Sequence, residues 1–150
     1  MDFKWEGVMP AVTTKFTAND SLDLEMFAVN IKAQMDAGVH GIVLGGSLGE
    51  ASTLTQSEKN TLVRETVKLA DGKIPVIMTI AEQTTSVAVA AARDAETNGA
   101  NGLMILPPMR YKSTDHETVV YFKTIAESTE LPIMISVSYT HLTLPTTPYV

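Results

Sequence analysis

The chain has 150 residues, 45% of them hydrophobic, and carries 11 Lys+Arg against 17 Asp+Glu for a formal net charge of −6. This is enough apolar material for the core of one ordinary domain or part of a larger one, and the absence of a basic cluster argues against a nucleic-acid partner. No cysteine is present, which excludes disulfides and thiolate metal sites. Asp2, Lys4 and Glu6 stand where a signal peptide needs an apolar run, and no apolar stretch approaches membrane-spanning length, so a cytoplasmic protein with no membrane partner is expected.

In chain order, Gly7 to Thr13 reads as a first strand, interrupted by Pro10. Leu24, Phe27, Ile31 and Met35 follow helical spacing, with Gly38 where a helix ends. Ile42 to Leu44 is a second strand that runs straight into Gly45-Gly46-Ser47-Leu48-Gly49-Glu50. Thr55-Gln-Ser-Glu58 is a capping-box pattern opening a helix that stops at Asp71-Gly72. Ile74 to Ile80 is the third strand, and an alanine-rich helix starts at Thr84 or Ser86 and ends at Asn98-Gly99. Leu103 to Leu106 is the fourth strand. A second capping box, Thr114-Asp-His-Glu117, opens a helix through Val120 and Ile125, and Leu131 to Ile135 is the fifth strand.

Strands that are short continuous apolar runs, alternating with helices, predict a parallel sheet buried on both faces. The sequence also echoes itself. Gly38-Val-His-Gly41-Ile-Val-Leu resembles Gly99-Ala-Asn-Gly102-Leu-Met-Ile-Leu, and Ile74-Pro-Val-Ile-Met resembles Leu131-Pro-Ile-Met-Ile. Repetition every two βα units favours a (β/α)8 TIM barrel over a doubly wound sheet, here with about strands 1–5 and helices 1–4.

The glycine-rich turn is the chemically telling segment. Its glycines allow φ > 0 and a close approach of backbone to ligand, and a strand end leading into a helix turns amide N–H groups toward a carboxylate or phosphate. Together with Gly7-Val-Met-Pro-Ala-Val-Thr-Thr, Gly46-Ser-Leu-Gly-Glu50, Ala70-Asp-Gly-Lys-Ile-Pro-Val-Ile and Gly102-Leu-Met-Ile-Leu-Pro-Pro, it resembles the dihydrodipicolinate synthase / N-acetylneuraminate lyase family of class I aldolases over about residues 3–135. The resemblance implies a TIM barrel that assembles as a homo-oligomer, a dimer or tetramer. It implies a lysine on the sixth strand that forms a Schiff base with a 2-keto acid such as pyruvate, an aldehyde as the second substrate, and no metal or organic cofactor. Gly46, Ser47 and Leu48 match the positions that bind the keto-acid carboxylate, and Ser47 also matches a hydroxyl of the family's proton relay.

The chain departs from the family pattern at three places. Leu48 replaces the second hydroxyl residue of the turn and leaves only its N–H. After the fourth strand the run is Pro108-Met109-Arg110-Tyr111, so Arg110 stands where the synthases place a relay tyrosine; its planar donor fork makes it a candidate substrate-binding residue. Residues 136–150 carry no formal charge, are rich in Thr and Pro, and resemble adapter-like read-through, so residues 1–135 are expected to be the N-terminal part of the barrel and 136–150 a non-native tail. Tyr139, within that segment, is offset from the family's fifth-strand tyrosine. The Schiff-base lysine is absent from the chain: no lysine lies within an expected strand, and Lys32, Lys59, Lys68 and Lys123 read as solvated helix faces.

The histidines have no metal-ligand spacing, so His40 and His116 read as surface or capping residues and no metal is expected. Glu50 is expected to orient the glycine loop by accepting backbone N–H bonds, and Glu82 to orient its own loop or touch substrate. The leading expectation is a Schiff-base lyase, with this chain inactive by itself. Two alternatives stand beside it: a lyase or hydratase acting on sugar-acid or hydroxyproline-derived 2-keto acids, and a non-catalytic barrel domain whose glycine loop binds phosphate.

Overall fold

The computed structural model describes residues 4–108 and 113–136. Four helices alternate with four strands: α1 (Leu24–Asp36), β1 (Ile42–Leu44), α2 (Gln56–Ala70), β2 (Val76–Ile80), α3 (Thr85–Thr97), β3 (Gly102–Ile105), α4 (Asp115–Ala126) and β4 (Ile133–Ile135). The strands form one parallel sheet in the order β1-β2-β3-β4. A doubly wound sheet reverses its order at a switch point, whereas a barrel adds each new strand to the same edge, so this sequential order is the barrel arrangement.

Strand register sorts the side chains. Ile42, Leu44, Val76, Met78, Ile80, Leu103 and Ile105 share one core with Phe27, Ile31, Leu62, Val63, Ala88, Ala92 and Ile125 of the helices. The alternate positions Val43, Ile77, Thr79 and Met104 occupy the other face, on matched register rows. Completely buried aliphatics such as Ile31, Ile77 and Leu103 each contribute roughly 1.5–3 kcal/mol by leaving water.

The expected first strand is reduced to an extended segment alongside β1. It forms a single parallel bridge, Ala11 to Val43, with hydrogen bonds from Val12 N to Val43 O (3.0 Å) and from Val43 N to Pro10 O (3.0 Å). Pro10 supplies only an acceptor, which interrupts the ladder. Proline also trims β2 and β4 relative to expectation. Pro75 and Pro132 each lend only a carbonyl, to Ile42 N (3.0 Å) and Leu103 N (2.9 Å). The internal echo is structural too: Gly38 and Gly99 follow α1 and α3 at φ +80° and +92°, the left-handed stop that glycine provides.

Both capping boxes form. In α2 the Glu58 carboxylate accepts from Thr55 N (2.8 Å) and Thr55 Oγ1 (2.7 Å), while Glu58 N donates to Thr55 Oγ1 (3.3 Å). Thr114 and Glu117 repeat the arrangement in α4. The Thr55 hydroxyl and N–H hold the Glu58 carboxyl below its ordinary value of 4.5, and the Thr114 N–H and hydroxyl do the same for Glu117. A lowered folded-state value means that the stabilisation is present above the unfolded value and is lost as pH falls through the folded one. Hydrogen exchange of the first-turn amides of α2 and α4, relative to mid-helix amides, should therefore lose protection as pH drops below about 4.5; protection constant down to pH 3 would contradict this.

Candidate active site

β1 ends at Leu44, and the chain turns sharply at Gly45, whose φ is +63°. A Cβ there would stand 2.7 Å from Met78 Cε, so glycine serves both the left-handed backbone and the contact with β2. Ser47–Gly49 then form a single 3-10 turn, closed by Gly49 N to Gly46 O (2.9 Å) and Glu50 N to Ser47 O (3.2 Å). Gly49 packs against the backbone: an added Cβ would meet Val12 O at 3.0 Å. The buried Thr14 hydroxyl donates to Gly49 O at 2.7 Å, tying the turn to the segment beside β1.

This arrangement brings Gly46, Ser47 and Leu48 together at the C-terminal end of β1. Ser47 and Leu48 are exposed, and neither their N–H groups nor the Ser47 hydroxyl has an acceptor among the described residues. The expected loop-orienting role of the Glu50 carboxylate is not borne out, since it accepts no hydrogen bond among the described residues. Glu50 contributes its backbone, with φ +58° and a carbonyl that accepts from Thr53 N (3.0 Å) and Thr53 Oγ1 (2.9 Å).

The turn opens on a cleft of about 530 Å³ over the ends of β1 and β2, lined among others by Ser47, Lys59, Thr79, Glu82 and Gln83. Lys59 is the main departure from expectation. It is not on a solvated helix face but buried, with its Nζ 2.6 Å from Glu82 Oε1. The sequence held the signal, because Lys59 falls in register with the buried Leu62, Val63, Thr66 and Ala70 of α2. Lys32, Lys68 and Lys123 are exposed as expected. Glu82 is also held through its carbonyl, which accepts from the Tyr121 hydroxyl of α4 (3.2 Å). Burial, and secondarily the Glu82 charge, push the Tyr121 phenol up to about 12, so it remains a donor at neutral pH. Thr79 Oγ1 and Gln83 Oε1 are buried without a hydrogen-bond partner among the described residues.

Arg110, Tyr111 and Tyr139 lie outside the described residues. His40 has a local role: its Nδ1 accepts from Val8 N at 3.0 Å. Among the described residues no group of three His, Cys, Asp or Glu side chains is placed to hold a metal ion, and no helix is long and apolar enough to cross a membrane.

The model of the dihydrodipicolinate synthetase family matches residues 4–141. The chain belongs to this family. The 4-hydroxy-tetrahydrodipicolinate synthase of Salinibacter ruber is 34% identical over 134 residues, covering 89% of this chain, and that of Thermotoga neapolitana is 35% identical over 131 residues, covering 87%. The chain spans 44% of the length of each of these relatives. Among solved structures, a dihydrodipicolinate synthase from Bacillus anthracis superposes with a TM-score of 0.83 at 32% identity, covering 86% of this chain and 44% of that one. A prophage protein of the same family from E. coli K12, in complex with pyruvate, superposes with a TM-score of 0.84 at 30% identity, covering 87% and 44%. The four strands and four helices are thus part of a (β/α)8 barrel, and the glycine turn lies at the C-terminal face, where barrels of this kind place their active sites.

Thr14→Val should leave the Gly49 carbonyl without its buried donor and destabilise the chain by about 1–2 kcal/mol. Denaturant unfolding measures this, and a stability equal to that of the unsubstituted chain would show that the turn does not depend on the tie.

Proposed function

We propose that the chain supplies the carboxylate-holding part of a Schiff-base lyase site. The supporting observation is the Gly45–Gly49 turn, which leaves the Ser47 and Leu48 N–H groups and the Ser47 hydroxyl without acceptors among the described residues, beside a cleft at the C-terminal face of the sheet. Two N–H donors and a hydroxyl are a suitable set for a carboxylate. In this reading Gly46, Ser47 and Leu48 hold the carboxylate of pyruvate or a related 2-keto acid, with Leu48 contributing only its N–H. Holding the acid by this end aims its carbonyl at an amine and removes the orientational cost of the encounter.

The reacting lysine comes from outside residues 1–150. Its neutral amine adds to the keto carbon, and with uptake of one proton the adduct expels water to give a protonated imine. Loss of a proton from the adjacent carbon gives an enamine, which forms the new carbon–carbon bond to an aldehyde; cleavage is the reverse. Ser47 passes the proton, and Arg110 binds the distal part of the substrate. The working protein is a cytoplasmic homo-oligomer with no cofactor. Residues 136–150 are read as not belonging to it.

Borohydride reduction in the presence of pyruvate tests the reading on the intact protein. The expected result is one reduced pyruvate adduct on one lysine that lies outside this chain. A protein that forms no covalent adduct, or forms it on Lys59, contradicts the proposal.

A further inference from the structure

Lys59 is the one cationic side chain lining the cleft among the described residues, and Glu82 occupies it at 2.6 Å. The two side chains are 11% and 22% exposed, so solvent screens this pair far less than a surface one. Three elements hold it in place. Lys59 lies in the first turn of α2, directly after the capping-box residue Glu58, Glu82 follows β2, and the Tyr121 hydroxyl of α4 fixes the Glu82 backbone. The Glu82 carboxylate is therefore anchored against the ammonium.

The electrostatic consequence concerns Ser47, which lines the same cleft. Backbone N–H groups carry only partial positive charge, whereas an ammonium carries a full one. Unpaired in a poorly screened cleft, Lys59 would draw a substrate carboxylate away from the turn. We propose that Glu82 is a specificity-determining residue that cancels the Lys59 charge and so reserves the substrate carboxylate for the N–H groups of Ser47 and Leu48. This rests on the reading of the turn as the carboxylate holder. It assigns Glu82 an electrostatic task and makes Lys59 a spectator only while the pair is intact.

Removing the two partners should act in opposite directions, which a loosened fold would not do. Equilibrium binding of pyruvate to the intact protein, followed calorimetrically, compares the unsubstituted protein with Glu82→Gln, Lys59→Met and the double variant. Glu82→Gln is expected to bind pyruvate tighter by on the order of tenfold, with the gain falling as salt is added. Lys59→Met is expected to bind more weakly by a similar factor, and the double variant to return near the starting affinity. A Glu82→Gln variant that binds no tighter, or a gain that survives removal of Lys59, overturns the proposal. Should Glu82→Gln fail to fold, Lys59→Met decides alone, since binding as tight as or tighter than that of the unsubstituted protein overturns it. Borohydride trapping separates this inference from the reading beneath it. Normal trapping with unshifted affinities defeats only the role of Glu82, and opposed shifts without trapping defeat only the keto-acid reading.

Discussion

The left-handed turn at Gly45 is the constraint on which the cleft depends. β1 and β2 run in parallel register, with Leu44 opposite Met78, and the chain must leave β1 immediately after that pair without striking β2. At φ +63°, with Met78 Cε where a side chain would begin, only glycine makes the exit without strain. That exit sets the 3-10 turn of Ser47–Gly49 over the strand end, and the turn leaves the Ser47 and Leu48 N–H groups without acceptors among the described residues. A β-branched or larger residue at this one position would displace the turn, and with it the Ser47 and Leu48 N–H donors.

The second organising feature is the disposition of charge. Most ion pairs described in the chain are exposed: Lys68–Glu65 and Lys123–Glu127 lie on helix surfaces, where such pairs contribute little. Lys59–Glu82 differs in burial and in place. A buried pair gains little net stability over an apolar replacement but makes the loss of either partner costly. It links α2, which follows the glycine turn, to the loop that follows β2, and Tyr121 extends the link to α4. The two loops that form the cleft walls are thereby coupled through side chains rather than through strand pairing alone.

Much of the fold was legible in the sequence because its signals were local. The capping boxes at Thr55 and Thr114, the stops at Gly38 and Gly99 and the apolar strand cores lie where their residue patterns place them. The failures have physical causes. Pro10 leaves the expected first strand with one bridge, since a ladder needs donors as well as apolar side chains. Lys59 departs from the expectation its residue type sets because register decides its place; it sits on the buried stripe of α2 and finds Glu82 across a separation of 23 residues. No sequence pattern announces such a pair. The motif Gly46-Ser-Leu-Gly-Glu50 does form a tight turn at the end of β1, but the anchoring role expected of the Glu50 carboxylate falls to Thr14 and Thr53.

In the proposed site a substrate carboxylate sits on the backbone of the glycine turn. The most direct measurement is the amide spectrum of the ¹⁵N-labelled intact protein titrated with pyruvate. Hydrogen bonding of the carboxylate to Ser47 and Leu48 predicts saturable downfield shifts of these two amide protons, larger than those at any residue of α3 or α4. Saturable shifts elsewhere, with the Ser47 and Leu48 amides unmoved, would contradict the account.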